Sequence, residues 1–169
     1  MDTFDRDDGQ KLILSEDIYN QVTQFIADLA ANTGADCIIF CESNGYPVTH
    51  VGDTKGLELP VISSLAASNF SATAKMASLL GEKNAFKYLF HEGEQTNLYI
   101  SNVGFNFLLL VLFDIQVALG MIRIYTRKTI ESLNHILHTV KEDEDKSKQF
   151  LDVEFKDLLN EELNRSLKF

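Results

Sequence analysis

Residues 105–114 read Phe-Asn-Phe-Leu-Leu-Leu-Val-Leu-Phe-Asp. From Phe107 onward nothing alternates between apolar and polar, so a strand here is apolar on both faces. It belongs in the middle of a sheet that is covered on both sides. The run is about half the length needed to cross a bilayer as a helix. A shorter run of the same kind, Cys37-Ile-Ile-Phe-Cys41, predicts a second central strand. Ser43-Asn44-Gly45 is a hairpin signal and 46–51 is the returning strand. Pro47 lacks an N–H to give to a neighbour, which puts that strand on a sheet edge. Upstream of 105–114, residues 85–91 alternate Phe86, Tyr88 and Phe90 with Lys87 and His91. The turns His91-Glu92-Gly93-Glu94 and Asn102-Val103-Gly104 then frame a strand at 97–103, giving a three-strand meander.

Helices separate these strands. Ser15 is a good N-cap, followed by Glu16 and Asp17 at the positive end of the helix dipole. Ile18, Val22, Phe25, Ile26 and Leu29 recur at helical spacing, and Asn32-Thr33-Gly34 stops the helix. A second helix is predicted over 59–80. Centred on Ile62, its apolar face takes in Leu65, Ala66, Asn69, Thr73, Met76 and Leu80. The opposite face carries Ser64, Ser68, Ser71, Lys75 and Ser78. Small hydroxyls with one cation are unusual for a solvated face. They let another backbone come close and lose little side-chain entropy when immobilised. A third helix starts near Ala118 with Leu119, Ile122, Thr126, Ile130, Leu133 and Val140 as its stripe. The charged run 141–148 reads as a linker. Beyond it Phe150, Leu151, Phe155 and Leu158 mark a short amphipathic helix, too short to be stable unless docked, either back on its own domain or in a partner's groove. The expected organisation is an acidic extension at 1–14, a domain at 15–140, and a linker with a terminal helix at 141–169.

Composition narrows the partners. The chain has 169 residues, and 25 Asp+Glu outweigh 15 Lys+Arg for a net charge of −10. That balance argues against nucleic acid, whose phosphates demand a basic patch. The start of the chain has no basic, apolar leader and no stretch is long enough to span a membrane, so a cytoplasmic protein is expected. Cys37 and Cys41 on one strand would stand about 13 Å apart, beyond disulfide reach, and read as small buried hydrophobes.

Candidate chemistry is sparse. His135 and His138 share a helix face without a carboxylate or thiol to complete a metal site, and His50 and His91 fall in a strand and a turn. Arg123 and Arg127 read as surface residues. No nucleophile elbow, P-loop or dinucleotide fingerprint is present. Catalytic, cofactor-binding and metal-binding residues are therefore assigned to none.

The stretches SLAASNFSATAKMASLLGEKN, FHEGEQTNLYISNVG and LLLVLFDIQVALGMIRI, in this order, resemble the roadblock family (dynein light-chain roadblock type), and within it the bacterial gliding-motility branch. The likeness spans roughly 15–140 and is most specific over 64–123. It implies an α+β, roadblock/longin-like fold ordered α-β-β-α-β-β-β-α: a five-stranded antiparallel sheet with helices on both faces. It further implies a homodimer with a continuous sheet, joined edge to edge through Phe86, Tyr88 and Phe90, with the central helices packed together. The implied role is GTPase activation, without an active site of its own. The dimer binds the switch regions of a Ras-like polarity GTPase and moves that GTPase's own catalytic groups into place, in the cytoplasm or at a cell pole. On the central helix, Ser71 and Lys75 match the GTPase-facing positions, Lys75 standing where relatives often carry Ala or Gly. The terminal segment matches a second GTPase contact. Two other readings compete. One is a non-catalytic scaffold in a polarity or motor complex. The other is a small-molecule sensor, which needs a concave pocket with convergent polar groups and is disfavoured by the dense apolar central strands.

Overall fold

The computed structural model describes residues 12–54 and 56–166. The elements are α1 (Glu16–Thr33), β1 (Cys37–Glu42), β2 (Pro47–Gly52), α2 (Leu59–Leu79), β3 (Tyr88–His91), β4 (Thr96–Gly104), β5 (Phe107–Asp114) and α3 (Leu119–Ser166). The strands form one antiparallel sheet in the order β2-β1-β5-β4-β3. The strand with no polar alternation lies at its centre, buried from Phe107 to Phe113, and β1 beside it is buried from Cys37 to Cys41. β2, with Pro47, is an edge as expected, and β3 is the other.

The register makes the two sides of the sheet legible. Ile39 lies opposite Leu110, Leu110 opposite Ile100, and Ile100 opposite Leu89. This row faces α2, where Ala66, Ala67 and Phe70 complete one core with Cys37, Cys41, Leu108 and Leu112. The next row, Thr49, Phe40, Leu109, Ser101 and Tyr88, faces the other way. There α1 lies over β1 and β2, with Thr23 and Thr49 hydroxyls 3.0 Å apart, and α3 reaches β3 through Arg123, stacked on Tyr88. α1 is capped as its sequence predicts: Ser15 Oγ accepts from the Ile18 N–H, and Gly34 ends the helix at φ 70°.

Three expectations are corrected. First, α2 is turned about 80° from the predicted orientation, at 100° per residue. It buries Ser63, Ala66, Ala67, Phe70 and Ala77, while Leu65 and Leu80 are 62 % and 75 % exposed and Met76 is also exposed. Small side chains let the helix axis come close to the sheet, and Phe70 supplies the bulk. At one end the approach is backbone to backbone: a Cβ on Gly45 would stand 2.6 Å from Ser64 Cα. Second, the β4–β5 turn is Phe105-Asn106, both at positive φ (52° and 64°). Gly104 draws the expected turn two residues early, because a phenylalanine in the left-handed region is not a turn signal. Likewise β3 begins at Tyr88, leaving Ala85 and Phe86 outside the strand. Third, residues 141–148 are helical, and α3 runs unbroken for 48 residues. The run contains neither Gly nor Pro. Its Glu and Lys residues favour helix, and opposite charges fall three or four apart, as in Asp143 and Lys146 at 4.0 Å.

The chain divides into two compact units. Leu14–Asn134 holds the whole sheet; the other contains α3 from His135 onward. Within the latter, Ile13 N–H donates to Glu144 Oε1 at 3.1 Å.

Gly34 and Gly45 both have positive φ, but only Gly45 has backbone within reach of an added Cβ. In urea denaturation Gly34→Ala is expected to cost about 1 kcal/mol, from strain alone. Gly45→Ala should cost at least twice that, and equal costs would contradict the close approach of α2. The two cysteines are free and buried, and burial pushes the Cys41 thiol up to about 12 and raises Cys37 as well. Neither should react with Ellman's reagent at pH 8 in the folded protein, and both should react in denaturant.

Candidate functional site

α2 presents three distinct faces. One is the small-residue face against the sheet. On the solvent side, Val61, Leu65, Met76 and Leu79 form an apolar stripe, with Leu79 78 % exposed. Beside it runs a strip of Ser64, Ser68, Ser71, Lys75 and Ser78, all exposed, as the sequence predicts. Ser68 Oγ donates back to Ser64 O at 2.9 Å, so that hydroxyl is turned onto its own helix. The strip therefore offers shallow relief, small side chains and a single positive charge.

Sequence reasoning places Leu65 and Met76 on the buried face and so misses the apolar stripe. The signal is present as an excess. Ser63, Ala66, Ala67, Phe70 and Ala77 already make a complete sheet-facing stripe, leaving Val61, Leu65, Met76 and Leu79 with nothing to cover. Exposed apolar side chains beyond those the core uses make this stripe a candidate contact surface.

β3 lies beside this helix and hydrogen-bonds only to β4, so its outer main-chain edge is open among the described residues. Asn69 on α2 and His91 on β3 approach at 3.5 Å between Nδ2 and Nε2, at the exposed margin between the helix and that edge. Of the three residues expected at a dimer contact, Tyr88 and Phe90 lie in β3, stacked on Tyr99 and Phe113, while Phe86 precedes it; all three are half-buried.

The terminal segment is the third candidate. Leu151, Phe155 and Leu158 lie on one side of α3, each more than half exposed, with Leu159 next to them. The Phe150 side chain lies outside the described residues. His50, His91, His135 and His138 are exposed, and no cluster of metal-ligating side chains occurs among the described residues. No helix there is long and apolar enough to cross a membrane.

On the opposite side of the sheet from α2, a cavity of about 850 Å³ separates β3 and β4 from the start of α3. Arg123 and Arg127, read from sequence as surface residues, are exposed and line it. Their convergence with Tyr88 and Tyr99 depends on the meander and is not visible in the sequence.

The Roadblock/LC7 domain profile matches residues 21–113, more than half the chain. The chain belongs to the Roadblock/LC7 family. Among solved structures, Myxococcus xanthus MglB is 29 % identical, with a TM-score of 0.71 over 76 % of this chain and 96 % of its own. The gliding protein MglB from Thermus thermophilus is 27 % identical, with a TM-score of 0.70 over 76 % and 97 %. An uncharacterised Aquifex aeolicus protein is 28 % identical over 100 residues, 59 % of this chain; the chain spans 62 % of that relative's length. A Streptomyces avermitilis Roadblock/LC7 domain, 15 % identical at a TM-score of 0.62, shares the fold. The Roadblock/LC7 match ends at the last residue but one of β5, so α3 lies beyond it.

Proposed function

We propose that this Roadblock/LC7 protein is a dimeric, MglB-like regulator of an MglA-like Ras-type GTPase, acting as its GTPase-activating protein. The observation that carries the reading is the division of α2's outer surface into an apolar stripe and a neighbouring hydroxyl strip. One helix thus offers one surface suited to a second copy and another suited to a different protein. In the dimer, β3 edges pair and complete the ladder of an otherwise open strand. A two-fold axis brings the stripe of Leu65, Met76 and Leu79 against its own copy. The strips of Ser64, Ser68, Ser71, Lys75 and Ser78 stay free and meet the switch regions of the GTPase. Phosphoryl transfer depends on positioning and electrostatics, so an activator can act by organising another protein's groups. The likeness to the two gliding proteins supports this partner and, through it, placement at a cell pole.

A second reading, a scaffold that joins polarity components, is favoured by one observation. The apolar set Leu151, Phe155 and Leu158 sits far along a 48-residue helix, well suited to holding a further partner.

Purified protein should accelerate GTP hydrolysis by the cognate GTPase and hydrolyse nothing alone; binding without acceleration would reduce it to a scaffold. Ser71→Arg and Lys75→Glu should weaken GTPase binding tenfold or more with the dimer intact, and unchanged affinity would refute the proposed strip. Leu65→Asp should convert the dimer to monomer in analytical ultracentrifugation, and a persisting dimer would contradict the apolar stripe as its seam. Leu151→Asp with Phe155→Asp should leave acceleration in place if the tail serves the scaffold role, and lower it if the tail grips the GTPase.

A further inference from the structure

The cavity between α3 and the β3–β4 edge is built differently from the rest of the molecule. Tyr88 and Tyr99 stack with centroids 4.9 Å apart and wall one side. The Arg123 guanidinium lies over Tyr88 at 4.9 Å. Arg127 follows one helical turn later, and Lys87 is on the rim. Among the described residues Glu131 is the one carboxylate in the lining, set against Lys87, Arg123 and Arg127, in a chain whose net charge is −10. Neither arginine forms an ion pair with a described residue. Burial pushes the Tyr99 phenol up, against the opposing effect of its hydrogen bonds with the Ser101 and Arg123 side chains, so the Arg123 guanidinium is held between the two tyrosines.

A second observation points the same way. Thr126, 1 % exposed, lines the cavity, and its Oγ1 has no hydrogen-bond partner among the described residues. A buried hydroxyl left unpaired costs about 1–3 kcal/mol. That cost is recovered if something entering the cavity supplies the partner. A volume near 850 Å³ is in the range that encloses a small organic molecule, and the walls combine apolar and aromatic surface with a few polar groups.

We propose that this cavity binds a small organic anion built on a flat ring. Arg123 and Arg127 take its phosphate or carboxylate, Phe86, Tyr99 and Ile130 receive the ring, and the Thr126 hydroxyl bonds to it. Guanidinium pairs suit either head group, because both present oxygens in a geometry that the planar fork matches. The site is on the face of the sheet opposite α2, so it is independent of the proposed GTPase contact. Pairing at the β3 edge engages main-chain groups in the plane of the sheet, whereas Tyr88 and Tyr99 project perpendicular to it.

The test is isothermal titration of the full chain, without any GTPase, using adenosine 5′-monophosphate, indole-3-acetate, neutral adenosine and inorganic phosphate. At least one of the two ringed anions should bind saturably, at least tenfold more tightly than adenosine or inorganic phosphate. Preference for the first assigns a phosphate head group, and preference for the second a carboxylate. Arg123→Gln and Arg127→Gln should each weaken that binding tenfold or more. Thr126→Val should weaken it while leaving the thermal midpoint unchanged or raised. The proposal is overturned if neither ringed anion binds, if adenosine binds as tightly, or if binding is unchanged in the arginine variants. It is equally overturned if Thr126→Val lowers stability but not affinity.

Discussion

Burial of β5 on both faces is the constraint on which the structure depends. Phe107, Leu109, Val111 and Phe113 point to one side of the sheet and Leu108, Leu110 and Leu112 to the other, and every one of these seven is buried. Each such side chain contributes about 1.5–3 kcal/mol when withdrawn from water. A sheet organised around such a strand needs a helical layer on each side. α1 and α3 supply one layer and α2 alone supplies the other. The asymmetry makes α2 the element that both closes the core on that side and carries the exposed serine strip and apolar stripe.

How α2 reconciles those two tasks follows from side-chain size. Ala66, Ala67 and Ala77 let it settle close to β1 and β5, with Phe70 as the one large anchor, and Gly45 lets the β1–β2 turn meet Ser64 without a side chain between them. A helix packed through alanines does not need its leucines and methionine for the core. Leu65, Met76 and Leu79 are consequently left facing water beside a strand edge that is open among the described residues, the surface on which the proposed dimer rests. The serines further round the helix are exposed as well, on a separate strip.

The fold is largely legible in the sequence because its decisive signals are local. The unbroken apolar runs at 37–41 and 107–113, Pro47 on the returning strand, and the Ser15 and Gly34 caps each point to one structural outcome. The misreadings have physical causes. On α2, periodicity assigns the large residues to the core, whereas close packing is achieved with small ones. At 141–148, a dense charge pattern reads as a linker, although Glu and Lys at i, i+3 and i+4 spacing stabilise helix. At Phe105-Asn106, Asn106 suits the left-handed region but Phe105 does not signal a turn, and Gly104 draws the expectation to the preceding residues. The exposed hydroxyl strip is legible because a helix face of serines stands out against the usual Glu, Lys and Arg. The cavity of Tyr88, Tyr99, Arg123 and Arg127 is not, since it assembles residues from three elements that the meander brings together.

The proposal that α2's outer surface engages an MglA-like GTPase is tested most directly by hydrogen–deuterium exchange. The chain should be compared alone and with a GTP-loaded MglA-like GTPase. Slowed exchange across 64–78 on α2, with α1 unchanged, is the expected result. Protection confined to α1 or to the start of α3, with α2 exchanging as in the free protein, would contradict it.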